Sequence, residues 1–347
     1  MRFPSNILRR SLVLALSLGA ATLASHAQSS ADSNTLVIYN AQHVTLTQAW
    51  VDKFTSDTGI KVVVRNGGDA ELGNQIVQEG GNSPADIFLT ENSPAMALVD
   101  NAKLFAPLDP ATLAQVPAEF RPDHGRWTGI AARSTLLVYR KLKFPSKDQL
   151  PKSLMDLADP VWKGRVAAAP AGPDFQAIVS AVLQLKGEAA TDAWLTGLKA
   201  NLVTYRSNSA AMKAANDGEV DTAVIYHYYY LGDMAKGGAN TEKLGTLYFR
   251  NQDPGAFLSV SGGGILASSK RQPQAQQFMK WLTGNGGQDI LRTGSSFEYA
   301  VGAGAKSNRN LVPLPDLQAP KVDMSKLNTS KTTELMLKAG LDRKSVV

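Results

Sequence analysis

Four phenols and an imidazole stand side by side at Tyr226-His227-Tyr228-Tyr229-Tyr230. The apolar run before them, residues 220–225, reads as a buried strand. A hydrophobic core would leave such a strand with Val, Leu or Phe. Phenol oxygens instead suit the gripping of something polar, and hard cations take oxygen donors. The same rings could also wall an organic ligand by stacking. Two further donors occupy matching places, His43 just past the first apolar run and Glu91 just past the third. Taken alone, His43 could simply bond a backbone carbonyl. Glu91 precedes Asn92-Ser93-Pro94, a helix start whose dipole favours an acid. All three features nevertheless fall at the same kind of position, which points to a shared site.

The elements that would position them follow from the pattern. Residues 35–39 read as a strand and 40–44 as a loop; Thr45 is expected to cap a helix carrying Leu46, Ala49, Trp50 and Phe54 on one face. Strands are expected at 61–65 and 86–89, with helices after each. This strand–helix rhythm predicts an α/β fold with a parallel sheet covered on both faces. In the second half, strands are expected at 134–139, 165–169, 202–205, 245–250 and 256–260. Ser207-Asn208-Ser209 opens a helix, and Asp174 is expected either to cap the helix starting at Phe175 or to face the ligand. Ligands in such sheets sit at the carboxyl ends of strands. Two α/β lobes facing each other would therefore bring His43, Glu91, Tyr228 and Tyr229 into one cleft.

The whole chain narrows the function classes. Arg2, Arg9 and Arg10, an uncharged apolar run at 11–24 and Ser25-His26-Ala27 form a leader of residues 1–27, so Gln28 is the expected mature start. The run is too short to span a bilayer. The leader carries three arginines and no acid, so half of the +6 formal charge leaves with it. No dense basic cluster remains, and nucleic acid binding is not expected. The chain has no cysteine, which removes disulfides and thiolate metal sites. It contains no Gly-x-Ser-x-Gly and no His-Glu-x-x-His, so an enzyme is not expected.

Four segments carry a family resemblance over essentially the whole mature chain. They are Tyr39-Asn40-Ala41-Gln42-His43, Pro84-Ala85-Asp86-Ile87-Phe88-Leu89-Thr90-Glu91, residues 221–230, and Asn251-Gln252-Asp253-Pro254-Gly255-Ala256. Together they resemble the periplasmic ferric-ion-binding proteins, the substrate-binding components of iron-uptake ABC transporters. The resemblance implies a two-lobed periplasmic binding protein fold (type II), with lobes joined by a strand hinge and the ligand cleft between them. It divides the chain into the leader, an N-terminal lobe of 28–133 plus about 257–310, and a C-terminal lobe of 134–256 plus about 311–347. It implies a periplasmic monomer that closes by rotation about strands near 133 and 256 and delivers its cargo to an inner-membrane permease. The implied ligands to Fe(III) are His43, Glu91, Tyr228 and Tyr229. Their chemistry fits independently: one carboxylate and two phenolates balance the ferric charge, and a bound cation drives phenol deprotonation.

Four donors leave two positions of an octahedron, which the family fills with a small anion and water. Here this sequence departs from its relatives. Phosphate-using members carry a Ser/Thr/Gly-rich loop where this chain has Gly172, Pro173 and Asp174. Proline has no N–H to donate, and an ionised Asp174 repels an anion. Asn208 and Ser209 match a second anion-facing helix start. Asn92 stands beside Glu91, Tyr226 replaces an anion-contacting asparagine, and Arg133 is placed to balance carbonate or citrate at the cleft edge. Three outcomes stay open, the first favoured: a small anion, carbonate or a carboxylate rather than phosphate, completes the site; Asp174 or Tyr226 completes it directly; or water does. The competing function is a binding protein for an organic solute, a polyamine, thiamine or sugar-like molecule stacked on the tyrosines, since the fold alone does not separate these.

Overall fold

A computed structural model describes residues 35–341. The expected leader, 1–27, and the expected mature start at Gln28 lie outside the described residues. Among the described residues nine strands form one sheet: β1 (Thr35–Asn40), β2 (Lys61–Asn66), β3 (Ile87–Leu89), β4 (Trp127–Arg140), β5 (Val166–Ala168), β6 (Leu202–Thr204), β7 (Thr222–Tyr226), β8 (Leu244–Leu247) and β9 (Leu258–Ile265). Their order is β2-β1-β3-β9-β4-β7-β5-β6, with β8 added on β4. Among the described residues no helix is long and apolar enough to cross a membrane.

The expected parallel pairing holds at the two ends of the sheet. There β1 runs parallel to β2 and β3, and β5 runs parallel to β6 and β7. The middle is antiparallel: β9 pairs so with β3 and β4, and β4 with β7 and β8. The sheet is therefore mixed. The sequence rhythm shows strand–helix alternation but not the strands that return between the two halves.

Strand β4 is the shared element. Its first part, Trp127 to Ser134, pairs with β9, and its second, from Thr135 to Arg140, pairs with β7 and β8. The partner changes between adjacent residues, so this is where the two halves join. Strand β9 carries Gly262, Gly263 and Gly264 where neighbours press close. A Cβ would strike the side chain of Met96 at Gly262, of Met279 at Gly263 and of Phe105 at Gly264. Glycine in a strand interior commonly marks such an approach.

Each half has its own apolar packing. The helix Val44–Thr58 turns Leu46, Trp50, Val51 and Phe54 inward, and Phe54 meets Phe278 of the helix Gln272–Thr283 edge-on at 4.9 Å. Burying a side chain of this size is worth about 1.5–3 kcal/mol. His43, not Thr45, is the N-cap of that helix, and Gly59 ends it in the left-handed conformation at φ 74°. In the other half, Ala211, Ala214 and Ala215 of the helix Asn208–Asp217 pack against Leu136, Val138, Ala223 and Ile225 of β4 and β7. The small alanines let this helix lie close to the sheet.

Candidate metal centre

Each candidate donor sits where a strand ends and a loop or helix begins. β1 runs through Asn40 to His43, whose cap position leaves its ring free of helix duty. Asn40 fixes this loop: its Oδ1 accepts from the Gln42 N–H at 3.1 Å and from Thr47 Oγ1 at 2.8 Å. β3 ends at Leu89, and the next residues are clamped by Asp69, whose carboxylate accepts the backbone N–H groups of Glu91 at 3.0 Å and Asn92 at 3.1 Å. β7 passes straight into the helix His227–Ala235, so Tyr228 and Tyr229 lie on its first turn.

These elements bring the four named donors together. Tyr228 Oη donates to Glu91 Oε1 at 2.8 Å. His43 Nε2 lies 3.1 Å from the same Glu91 oxygen. The Tyr228 and Tyr229 rings are 4.2 Å apart, and the His43 ring meets Tyr228 edge-on at 4.9 Å. Among the described residues no trio of His, Cys, Asp and Glu makes a metal site by itself. The donor set exists only when the phenol oxygens are counted.

Asp174 joins the same cluster. It is buried in the first turn of the helix Pro173–Lys186, whose N-cap is Gly172, so the expected capping role of Asp174 is corrected. Pro173 fits the first helical position, where the missing N–H costs nothing. Asp174 Oδ2 accepts from Tyr228 and Tyr229, each at 3.3 Å, and from Asn208 Nδ2 at 2.8 Å; its Oδ1 accepts from Asn92 Nδ2 at 3.2 Å. A carboxylate thus already fills the space beside the phenols.

The remaining expected anion contacts are engaged elsewhere. Arg133 is not at the cleft edge: it is fully buried. It bonds Glu298 Oε2 at 2.7 Å, Gln42 Oε1 at 3.2 Å and the backbone oxygen of Glu91. The Tyr226 hydroxyl donates to the backbone oxygen of Asp174 at 3.2 Å. Asn208 serves Asp174, and Asn92 Oδ1 accepts from Ser259 at 2.7 Å. Ser209 lines a cavity of about 540 Å³ that opens onto His43, Tyr228 and Tyr229.

The electrostatics follow from burial and crowding. Burial pulls the His43 imidazole down, but Glu298 and Glu91 outweigh it and push the group up to about 10. Burial pushes Glu91 up, yet the Arg133 charge and His43 bring it down to about 2. Asp174 is raised to about 7 by burial and by the Glu91 charge, and Asp69 to about 8 for the same reasons. Burial and then Asp174 drive both Tyr228 and Tyr229 above the usual phenol range. At neutral pH both phenols thus keep their protons, Glu91 is ionised and Asp174 lies close to its midpoint.

Two carboxylates here were not anticipated from the sequence. Glu298 is wholly buried and contacts His43 Nδ1 at 2.9 Å. It sits outside the strands and helices expected from the sequence, although Phe297 and Tyr299 beside it are signals of burial. Phe297 holds a left-handed φ of 54°, rare for a bulky residue. Asp69 follows Gly67-Gly68 and opens the helix Asp69–Glu79. His227, inside the tyrosine cluster, faces away from the donors. Its Nε2 meets the backbone oxygen of Phe297 at 2.7 Å and its Nδ1 takes the Ser134 N–H at 3.1 Å.

Comparison with known proteins agrees with this architecture. The model of the bacterial extracellular solute-binding protein family matches residues 40–289. The chain belongs to that family. It is 64% identical to the Fe(3+)-binding periplasmic protein of Serratia marcescens, over 94% of this chain and 97% of that protein. It is 36% identical to the major ferric iron-binding protein of Neisseria meningitidis, over 88% of this chain and 93% of that one. The crystal structure of iron-bound HitA from Pseudomonas aeruginosa superposes with a TM-score of 0.81 at 41% identity, covering 88% of this chain and 99% of HitA. The family fold is thus the two-lobed type II binding protein fold, with the cleft between the lobes.

Proposed function

We propose that this protein binds ferric iron in the periplasm and delivers it to an inner-membrane ABC permease for iron uptake. One observation carries the reading: Tyr228 of one half of the sheet reaches Glu91 of the other at 2.8 Å, with His43, Tyr229 and Asp174 around the same spot. Two phenols and two carboxylates are a poor hydrophobic core and a good cage for a hard trivalent ion. The ferric-binding relatives support the same cargo, and their names speak for binding rather than catalysis. An organic solute stacked on the tyrosines is less well supported, because their hydroxyls already converge on carboxylates instead of facing an open wall.

His43, Glu91, Tyr228 and Tyr229 are the proposed ligands, and Asp174 supplies a fifth. Of the options the sequence leaves open, direct ligation by Asp174 is favoured by its place 3.3 Å from both phenol oxygens. Ionised, the two phenols, Glu91 and Asp174 carry one charge more than Fe(III) neutralises, an excess that disfavours a further anion. A synergistic carbonate or phosphate then has no place that it must fill. Lobes of 28–133 plus about 257–310 and 134–256 plus about 311–347 fit the partner change in β4 at Ser134 and Thr135. Rotation there would part His43 and Glu91 from the tyrosines and open the cleft, as hinge closure does in binding proteins of this kind. The closed shape is what the permease would read.

The test is a titration of the mature protein with ferric nitrilotriacetate, followed in the visible. Tyrosinate on Fe(III) gives a charge-transfer band, so the loaded protein should be coloured at one ion per chain. A protein that stays colourless with excess iron, and that an organic solute stabilises instead, would end this reading.

A further inference from the structure

We propose that Glu298 is a positioning residue for cargo binding, which holds the Nδ1 side of His43 and so aims Nε2 at the ion. The inference rests on the ferric reading above and adds a residue to it. Glu298 Oε1 lies 2.9 Å from His43 Nδ1 as an ion pair and has no hydrogen-bond partner of its own. The other oxygen is fixed three times, by Arg133 at 2.7 Å and by Gln42 Nε2 and Ser261 Oγ at 3.2 Å each. The carboxylate is wholly buried, so water does not compete for it. Held on one side, the ring presents its second nitrogen 3.1 Å from Glu91, beside the phenols.

An imidazole can bind a metal through either nitrogen. A fixed acceptor at Nδ1 keeps the proton there and leaves the Nε2 lone pair for the ion, and it makes that lone pair more basic. Arg133 has a matching part. It neutralises Glu298 and also bonds the backbone oxygen of Glu91, so one guanidinium ties the orienting group of one ligand to the backbone of another. A merely structural Glu298, kept as the counter-charge of Arg133, would make no use of the oxygen turned to His43.

A double-mutant cycle separates the two roles. Glu298→Gln keeps the shape and removes the charge. Ferric affinity should fall by about 10–100-fold in the wild-type background, the usual scale for such outer partners. In a His43→Ala background the same change should cost less than about threefold, since nothing is left to orient. Glu298→Asp keeps a charge for Arg133 but withdraws it from the ring, and should lose affinity while retaining the thermal midpoint. In protein loaded with Ga(III), a diamagnetic ion of the same charge, nitrogen NMR should show the His43 proton on Nδ1 in wild type and a mixed or broadened signal in Glu298→Gln. An equal loss in both backgrounds, or no loss in either, would overturn the positioning role. If His43→Ala alone leaves the affinity of wild type, the fault lies in the ferric ligand set.

Discussion

The Tyr228 hydroxyl donates to the Glu91 carboxylate across 2.8 Å, and a proton lies between two oxygens contributed by opposite halves of the sheet. Without cargo that proton is what holds the pair together. In the proposed loaded state the same two oxygens face the ion, and the proton must leave. Closure and loading thus share one set of atoms. It follows that the phenols should dominate affinity. Tyr228→Phe or Tyr229→Phe should each remove most of the visible band and at least about 100-fold of ferric affinity. The double variant should be colourless. Spectrophotometric titration against a competing chelator measures this, and a double variant that still holds iron like wild type excludes the phenols as ligands.

Proton release gives a second expectation. Between about pH 7, where Asp174 ionises, and about pH 10, where the His43 imidazolium does, the metal-free pocket holds a proton on each phenol and one extra on His43. Binding should expel about three protons per ion in that window. Affinity therefore rises with pH and falls on acidification, more steeply below pH 7, where Asp174 adds another. Calorimetry in buffers of different ionisation enthalpy counts the protons. Release of fewer than one would mean that the phenols bind undissociated or not at all.

The metal-free protein should show the opposite trend in stability. Asp174, Asp69 and His43 all hold protons more tightly folded than unfolded. The folded state then binds more protons between about pH 4 and 10, so stability from these groups declines as pH rises across that range. Glu91 and Glu298 are depressed and act the other way, their stabilisation being lost on acidification below about pH 4. Between pH 6 and 9 the melting temperature without iron should drop, on the order of 5 °C, while the loaded protein holds steady or gains. Parallel scans with and without iron check this; a metal-free melting point that climbs over the window would contradict the assigned charges.

Asp174 separates direct ligation from an anion site. If its carboxylate takes the place of a synergistic anion, wild-type affinity should not respond to added phosphate or carbonate. Asp174→Ala opens that place. Binding should weaken on the order of 100-fold, the scale of a lost charge-assisted contact, and should then recover with carbonate or phosphate. Wild-type affinity that rises with an added anion would assign Asp174 a supporting role instead.

The convergence of His43, Glu91, Tyr228 and Tyr229 was legible because residue type and place coincide: each follows an apolar strand, and nothing in a core requires a histidine, an acid and paired phenols there. The sheet was legible only in part. Strand β4 was read as 134–139, whereas it begins at Trp127. The missed residues include Gly129 and Arg133, which carry no strand signal. Arg133 is buried only because Glu298 and the Glu91 backbone meet it from distant parts of the chain. Strand β9 was read as 256–260, since its three glycines look like a turn until Met96, Met279 and Phe105 are seen against them. Glu298 was missed for a related reason. Its partners are long-range, and no periodicity announces a lone buried acid.

The tyrosine cluster itself mixes two duties, and its members should separate by experiment. His227 is buried and kept neutral, pulled down to about 4 by burial despite its backbone bonds. It ties the Tyr228 helix to β4 through Ser134 and to the 297–299 segment through the Phe297 oxygen, and its ring lies 4.9 Å from that of Tyr299. His227→Phe keeps the volume but strands a buried N–H and a buried carbonyl. Each orphan costs about 1–3 kcal/mol, so the variant should lose about 2–4 kcal/mol of stability. Its visible band should persist, with affinity within about tenfold of wild type, because no donor is removed. Tyr228→Phe should do the reverse, losing the band while melting near the wild-type temperature. The contrast arises because adjacent residues at a strand-to-helix junction point to opposite sides. His227 turns into the join between the halves, and Tyr228 turns into the cleft. Denaturation and iron titration on the two variants together test it, and loss of the band in His227→Phe with unchanged stability would reverse the assignment.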